Sequence, residues 1–404
     1  MTPSAVITGL GIASPNGLGK QDFWSATRAG TSGIGRVSRF DPSRYPSQLA
    51  GEVPGFKASD HLPSRLLPQT DHMTQLALAA TDWALDDAGV NPRDLPDFDM
   101  GVITASSSGG FEFGQGELRK LWSKGSRHVS AYQSFAWFYA VNSGQISIRQ
   151  GMRGPSGVVV GEQAGGLDAL AQARRQIRRG TPLIVSGAVD ASVCSWGWAA
   201  QLASGRLSRS ADAARAYLPF DADACGHVPG EGGAILILED AGLAARRGAR
   251  TYGELRGYAS TFDPRPGSGR PPGLRRAIEL ALRDADVVPA DVDVVFADAA
   301  ALPDLDAAEA DAINAVFGRH AVPVTAPKTM TGRLYSGGAP LDVAAALLAI
   351  QEGLIPPTVH VSPVPALGLD LVTGRPRTAE VRTALVLARG HHGFNSAAVV
   401  TATD

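Results

Sequence analysis

The sequence predicts an α/β fold built from two similar halves. Short runs rich in β-branched residues alternate with longer Ala- and Leu-rich stretches whose apolar residues recur at helical spacing. This series of elements occurs twice, in similar type and order, and an Arg- and Ala-rich stretch around 241–253 separates the two series. No low-complexity linker lies between them. We therefore expect two halves, 1–248 and 249–404, that share one compact body.

Each strand candidate is a short apolar run, and each helix candidate carries an apolar stripe. The first half contains strand candidates Ala5–Thr8, Met100–Thr104, Gly157–Val160, Leu183–Ser186 and Ala234–Leu238, and helix candidates Met73–Ala88 and Leu167–Arg179. The second half contains strand candidates Val292–Ala297, Val322–Thr325, Thr383–Ala388 and Ala397–Thr401, and helix candidates Leu274–Ala285, Ala307–Phe317 and Pro340–Glu352. The uninterrupted valines at 158–160 predict that their strand is buried.

Composition excludes several functional classes. The 404 residues are 44% hydrophobic, and the net charge of -2 gives no electrostatic reason to expect nucleic acid or an anionic membrane as a partner. No apolar run approaches the ~20 residues that span a bilayer, and the N-terminal segment MTPSAVITGLG lacks the features of a secretory signal. Only Cys194 and Cys225 are present, and no Cys/His cluster has zinc spacing. We expect a reducing cytoplasm, no metal and no membrane.

A glycine pair follows the first strand candidate, in Gly9-Leu10-Gly11. A dinucleotide site would need a third glycine opening directly into a helix, and Ser14-Pro15-Asn16 intervenes instead. A structural turn fits this segment better, so we expect no nucleotide cofactor.

The run Gly161-Glu162-Gln163-Ala164 joins a strand candidate to a helix candidate through a sharp Gly-rich turn. Several enzyme classes present a nucleophile on such a turn, where backbone N–H groups and the helix dipole stabilise a thiolate or an oxyanion. Gln163 cannot act as a nucleophile. Its side chain is expected to satisfy backbone donors at the start of its helix, and direct catalysis by its amide is the alternative.

Several long motifs, in order along the chain, resemble the β-ketoacyl synthase family, whose members have the thiolase fold. They are VITGLGIASPNG, RGPSGVVVGEQAGG and PFDADACGHVPGEGGAILILE in the first half, and AEADAINAVFG, VPVTAPKTMTG, EGLIPPT and GFNSA in the second. The resemblance implies two duplicated αβ halves that form a five-layered α-β-α-β-α body. Family members carry a Cys at the turn that accepts the acyl chain, and two His that stabilise charge as a malonyl thioester decarboxylates and condenses.

All three of those positions are altered in this sequence. Gln163 stands at the Cys position, Asp298 at the first His position and Arg333 at the second, while Lys328 and Glu309 are retained and are expected to form a structural pair. If the two loops converge as in the family, Asp298 and Arg333 should form an ion pair that fills the old site, because either charge alone would be costly to bury. The alternative is that both side chains point to solvent.

Within the family, loading-type ketosynthases carry Gln at this position but keep both His. Chain length factors, the partner subunits of type II polyketide ketosynthases, carry Gln without the intact pair. The chain resembles the second group, also in GEQAGGLDAL (161–170) and SFAWFYAVNSGQ (134–145). The resemblance implies a non-catalytic subunit without cofactor that pairs with a catalytic ketosynthase, meets an acyl carrier protein and helps set chain length in aromatic polyketide biosynthesis. A malonyl-ACP decarboxylase acting through Gln163 and a stand-alone acyl-binding protein are the alternatives.

The segment Phe111–Leu118 carries the chain-length hypothesis. By resemblance, Phe111, Gly114 and Leu118 line the end of a tunnel at the heterodimer interface, and ordinary core packing is the alternative for the Phe. Gly114 and Leu118 leave room where bulkier side chains would fill the tunnel, so we expect a chain of about ten ketide units or more. A dense aromatic run also suits a subunit interface, with ordinary core as the alternative. Its interface candidates are Phe135, Trp137, Phe138 and Tyr139.

Overall fold

The computed structural model describes residues 4–265 and 267–403. Met1–Pro3, at the start of the segment judged not to be a signal peptide, lie outside the described residues. In the described part of the chain, no helix is long and apolar enough to cross a membrane.

Strands and helices alternate as the sequence predicts. The strands are β1 (Ala5–Ser14), β2 (Gly17–Leu18), β3 (Ile34–Arg36), β4 (Leu49–Gly51), β5 (Met100–Ala105), β6 (Ser156–Val159), β7 (Leu183–Asp190), β8 (Gly232–Asp240), β9 (Gly253–Phe262), β10 (Val294–Phe296), β11 (Pro323–Thr325), β12 (Leu354–Ile355), β13 (Asp370–Leu371), β14 (Arg377–Thr378), β15 (Thr383–Arg389) and β16 (Phe394–Thr401). The helices are α1 (Lys20–Ala29), α2 (Ala58–His61), α3 (His72–Ala88), α4 (Phe111–Lys124), α5 (Gln133–Ala136), α6 (Val141–Gln150), α7 (Glu162–Arg178), α8 (Ser195–Ala203), α9 (Ala241–Arg246), α10 (Leu274–Ala285), α11 (Pro303–Phe317) and α12 (Gly338–Glu352).

The two halves repeat one topology. The main sheet runs in the order β13-β11-β10-β15-β16-β9-β1-β8-β7-β5-β6, with β2 paired to β1. In the first half the path β6-β5-β7-β8-β1 has two parallel pairings followed by two antiparallel ones. The path β11-β10-β15-β16-β9 repeats this pattern in the second half. The two paths meet through the pairing of Val6 and Ile7 in β1 with Glu254 and Gly253 in β9.

Apolar packing arranges these elements in five layers. Helices α7 and α12 are buried together between the two halves of the sheet and share one core with both. Helices α3 and α6 cover the outer face of the first half, and α10 and α11 cover that of the second half. Close packing explains the glycine pair in β1: a Cβ at Gly9 would lie 2.1 Å from the carbonyl of Ala84, and one at Gly11 would lie 1.7 Å from that of Ala80. The pair therefore lets α3 approach the sheet.

Several elements differ from the prediction. The sequence reading missed β9, which joins the two halves, and also α4 and α6, whose apolar residues are sparse. Helix α7 begins at Glu162, earlier than the predicted start at Leu167. The prediction that β6 is a buried strand was wrong, because β6 is the edge of the sheet and Val160 just beyond it is 51% exposed. The predicted boundary at 248/249 falls between α9 and β9, and it stays a prediction.

Candidate functional site

Three loops bring the altered positions into the interior of the protein. Gln163 is the second residue of α7, just after β6, while Asp298 follows β10 and Arg333 lies between β11 and α12. All three side chains are buried. The ends of parallel strands from both halves therefore meet at these three residues, which is a common place for a ligand site in open α/β sheets.

Asp298 and Arg333 form the ion pair that the sequence predicted. Nη2 of Arg333 lies 3.0 Å from Oδ1 and 3.2 Å from Oδ2 of Asp298. The same Nη2 donates to the carbonyl of Arg389 at 2.6 Å, and the backbone N–H of Arg389 donates to Oδ1 of Asp298 at 2.8 Å. Burial disfavours the charged form of Arg333, but the carboxylates of Asp298 and Glu162 outweigh it, so the pKa of Arg333 lies above its ordinary value. The pair is thus also bound to the backbone of Arg389, the last residue of β15.

Gln163 does not have the predicted capping role. The cap of α7 is Gly161, without a side-chain hydrogen bond, and neither Nε2 nor Oε1 of Gln163 has a partner among the described residues. The amide lies instead against Gly338, where an added Cβ would be 2.8 Å from Nε2. Because its side chain is turned toward α12, it cannot reach the donors at the start of its own helix.

The prediction that Lys328 and Glu309 pair with each other was wrong. Nζ of Lys328 lies 2.7 Å from Oδ2 of Asp342 and also donates to the carbonyl of Ala297. The two oxygens of Glu309 accept the backbone N–H groups of Asp298 at 2.7 Å and Ala299 at 2.9 Å. Glu309 therefore serves the turn that carries Asp298, where Ala299 has a strained φ of 53°.

A cavity of about 760 Å³ opens beside the ion pair. Its lining includes the polar and charged side chains of Glu162, Arg206, His227, Asp298, Arg333 and His391. Oε2 of Glu162 accepts the backbone N–H of His391 at 2.7 Å, and burial raises the pKa of the Glu162 carboxyl. Gln163 does not line this cavity. Sequence reasoning missed Glu162, although a carboxylate in the first turn of a helix next to a catalytic position was a signal.

The chain-length residues lie along α4, but Gly114 does not leave the space that we expected. The indole ring of Trp196, from α8, stacks on Phe111 with ring centroids 4.6 Å apart. Its Cζ3 atom would lie 3.1 Å from a Cβ at Gly114. The space left by the absent side chain of Gly114 on α4 is therefore filled by Trp196 of α8. Sequence reasoning missed Trp196, because the contact joins residues far apart in the chain.

Leu118 does border open space. It lines a groove of about 640 Å³ together with Gln115, Trp122 and Trp196. Trp122 is 79% exposed. Open space beside α4 therefore borders Leu118, and Phe111 at the start of the helix lines the larger cavity.

The four interface candidates divide into two kinds. Phe135 packs against the core of the first half. Trp137, Phe138 and Tyr139 are 39%, 49% and 37% exposed. Three neighbouring exposed aromatic side chains are unusual on the surface of a monomer.

Comparison with known proteins identifies the family. The model of the beta-ketoacyl synthase N-terminal domain matches residues 3–243, and that of the C-terminal domain matches residues 252–362. The chain belongs to the β-ketoacyl synthase family. The tetracenomycin polyketide synthase ketoacyl synthase beta subunit of Streptomyces glaucescens is 61% identical over 398 residues, which are 98% of this chain and 97% of that one.

Two solved structures of the family cover 100% of both chains. The ishigamide ketosynthase/chain length factor has a TM-score of 0.91 at 28% identity. A complex described as a type II PKS acyl-carrier protein with its ketosynthase bound to the hexaketide, AntDE:AntF, has a TM-score of 0.90 at 27% identity. These findings confirm the thiolase-like fold and the resemblance to ketosynthase β subunits of type II polyketide synthases.

Proposed function

We propose that this chain is a non-catalytic chain length factor that pairs with a catalytic ketosynthase and helps set polyketide chain length. The buried Asp298–Arg333 pair carries the proposal. Each partner occupies a position where the family has a catalytic His, and each is held by the other at 3.0 Å. A guanidinium and a carboxylate bound in this way have no free neutral donor for an enolate that forms as malonyl decarboxylates.

The geometry of Gln163 supports the same proposal. A decarboxylase acting through its amide would need that amide at the wall of the cavity, in hydrogen-bond reach of the substrate. The amide instead lies against Gly338, and it does not line the cavity. We therefore favour the chain length factor over the malonyl-ACP decarboxylase.

A partner ketosynthase is supported by the surface of the first half. Strand β6 leaves one side of its backbone unpaired at the sheet edge, and Trp137, Phe138 and Tyr139 are exposed. An open sheet edge and exposed apolar side chains are both suited to pairing with a related subunit. A relative that is a ketosynthase/chain length factor fits a heterodimer, which disfavours the stand-alone acyl-binding protein. The AntDE:AntF complex supports an acyl carrier protein as the second partner. A cytoplasmic location is also part of the proposal.

The length of the product is the finer part of the proposal. Trp196 occupies the space beside Gly114, so the argument for a long chain depends on Leu118 and the groove that it lines. An end wall that leaves this groove open admits a product of about ten ketide units or more, since close packing sets where the chain must stop.

Two substitutions at one position test the function. In a complex with a cognate ketosynthase and carrier protein, Leu118→Phe should shorten the product and Leu118→Ala should lengthen it, as measured by mass spectrometry. Gly116→Phe is the control, since it adds the same side chain to α4 where a Cβ would meet no atom within 4 Å. Unchanged products for both Leu118 variants, in complexes that still form, would refute the role of α4 in chain length.

A further inference from the structure

The carboxamide of Gln115, on α4, bonds to the start of α8. Its Oε1 accepts the backbone N–H of Trp196 at 2.6 Å and the hydroxyl of Ser195 at 3.0 Å. The first N–H groups of a helix have no partner within that helix. Cys194 caps α8 through the N–H of Gly197, and the N–H of Trp196 has its short hydrogen bond to Gln115. One oxygen atom thus joins α4 and α8. Phe111, Gly114 and Leu118 of α4, with Trp196 of α8, form the surface that we call the chain-length wall.

The position of the Trp196 ring depends on this contact. Trp196 is 39% exposed, so burial alone does not fix its indole. The ring lies in parallel with Phe111, at an interplanar angle of 8°, and next to Gly114 on the same helix that carries Gln115. Since the bond from Gln115 sets how closely the start of α8 approaches α4, it also sets how much of the wall the indole covers.

We propose that Gln115 is a positioning residue of the chain-length wall, which acts by holding Trp196 against Phe111 and Gly114. This inference depends on the proposed function of α4. Gln115 itself need not touch the growing chain. Only its acceptor oxygen is needed, because both contacts are made by that atom.

Two substitutions distinguish the hydrogen-bond acceptor of Gln115 from the volume of its side chain. They are Gln115→Glu and Gln115→Met. Glutamate keeps an acceptor oxygen for both donors, and Arg119 one turn later on α4 favours its charge. Methionine has a similar length and lacks a strong acceptor. Each variant is assembled with the cognate ketosynthase and carrier protein, and the masses of the products are measured. We expect Gln115→Glu to keep the main product, and Gln115→Met to raise the proportion of longer products by roughly two- to tenfold, the range that the loss of the Trp196 hydrogen bond alone allows.

The Trp196→Ala variant makes the test specific. Trp196→Ala should also lengthen the product, and adding Gln115→Met to it should change the product no further, because the two residues act as one unit. A structural defect alone would lower the yield without changing the product mass. Hydrogen exchange at the Trp196 amide should be faster in Gln115→Met and unchanged in Gln115→Glu.

Three results would overturn the inference. If Trp196→Ala lengthens the product and Gln115→Met does not, the inference fails and the proposed function stands. If Trp196→Ala, Gln115→Met and the Leu118 variants all leave the product unchanged, the proposed function fails as well. If Gln115→Met and Gln115→Leu do not accumulate while Gln115→Glu does, the acceptor is required for folding and not for positioning.

Discussion

Nη2 of Arg333 lies within 3.2 Å of both carboxylate oxygens of Asp298, in a part of the protein where both side chains are buried. In the proposed function, each residue stands where the β-ketoacyl synthase family has a catalytic His. A polar site that loses its function must still satisfy its buried groups. Here Asp298 and Arg333 satisfy each other, as the proposal of a catalytic frame without its catalytic groups requires.

Breaking this pair should be costly. Arg333→Met leaves the buried Asp298 carboxylate with the N–H of Arg389 as its remaining close donor, and we expect the free energy of unfolding to fall by about 3–5 kcal/mol. Asp298→Leu combined with Arg333→Met should cost less than either single change, because no buried charge is left alone. Urea titrations of the four proteins measure both effects. Additive losses in the double variant would contradict the pair.

Gln163→Met should stabilise the protein. The amide is buried and has no partner in the part of the chain that the structure describes, so an apolar side chain of similar size removes a desolvation cost of about 1 kcal/mol. Gln75→Met is the control, since Nε2 of Gln75 donates to the carbonyls of Leu67 and Thr70, and its loss should destabilise. Thermal or urea unfolding measures both. A clear loss of stability in Gln163→Met would mean that the amide has a partner, such as a bound water.

The contact between Gln163 and Gly338 predicts a compensating pair of changes. A Cβ at Gly338 would lie within 3.2 Å of three atoms of the Gln163 amide group, so Gly338→Ala should destabilise by about 1–3 kcal/mol through overpacking. Gln163→Ala in the same protein should recover much of that loss, since it removes the clashing atoms. Equal unfolding midpoints for Gly338→Ala with and without Gln163→Ala would place the clash elsewhere.

Asp306 should make stability depend on pH. Burial, with the nearby charges of Glu309 and Asp298, raises its pKa from 3.8 to about 7, although the N–H of Phe220 lowers it. The folded state therefore binds the proton more tightly than the unfolded state. This contribution to stability is complete below about pH 4 and is lost as the pH rises to about 7.

Asp306→Asn should remove this dependence, because an amide does not ionise. Compared with the natural protein, the variant should gain roughly 1–4 kcal/mol between pH 4 and pH 8. Urea midpoints of both proteins across this range measure the difference. A constant difference at all pH values would show that the carboxyl does not titrate in this window.

The fold could be predicted from the sequence, but only some of the contacts within the site could be. Alternating apolar periodicity revealed most core strands and helices, because local pattern and burial agree there. The edge position of β6 could not be predicted, because Val158–Val160 has the composition of a buried strand. The strand is exposed because it has a neighbouring strand on one side only. Asp298 and Arg333 could be paired because the resemblance to the family brings their loops together and a buried charge needs its opposite.

Other contacts are set by tertiary packing. Lys328 pairs with Asp342, which the pattern of α12 gave no reason to choose over Glu309. Trp196 of α8 lies next to Gly114 of α4. No local sequence pattern predicts a contact between two helices so far apart in the chain. The pattern also could not say that Gln163 turns toward α12.

The central claim is that this chain shapes its partner's tunnel and does no chemistry at Gln163. The most direct test is the polyketide yield and mass from the complete complex of this chain, a cognate ketosynthase and the carrier protein, with Gln163→Ala in this chain. We predict the same product mass and a yield within about twofold of the natural complex, since no transition-state interaction is removed. A large loss of product, or of CO₂ release from malonyl-ACP, in a complex that still assembles would contradict the claim.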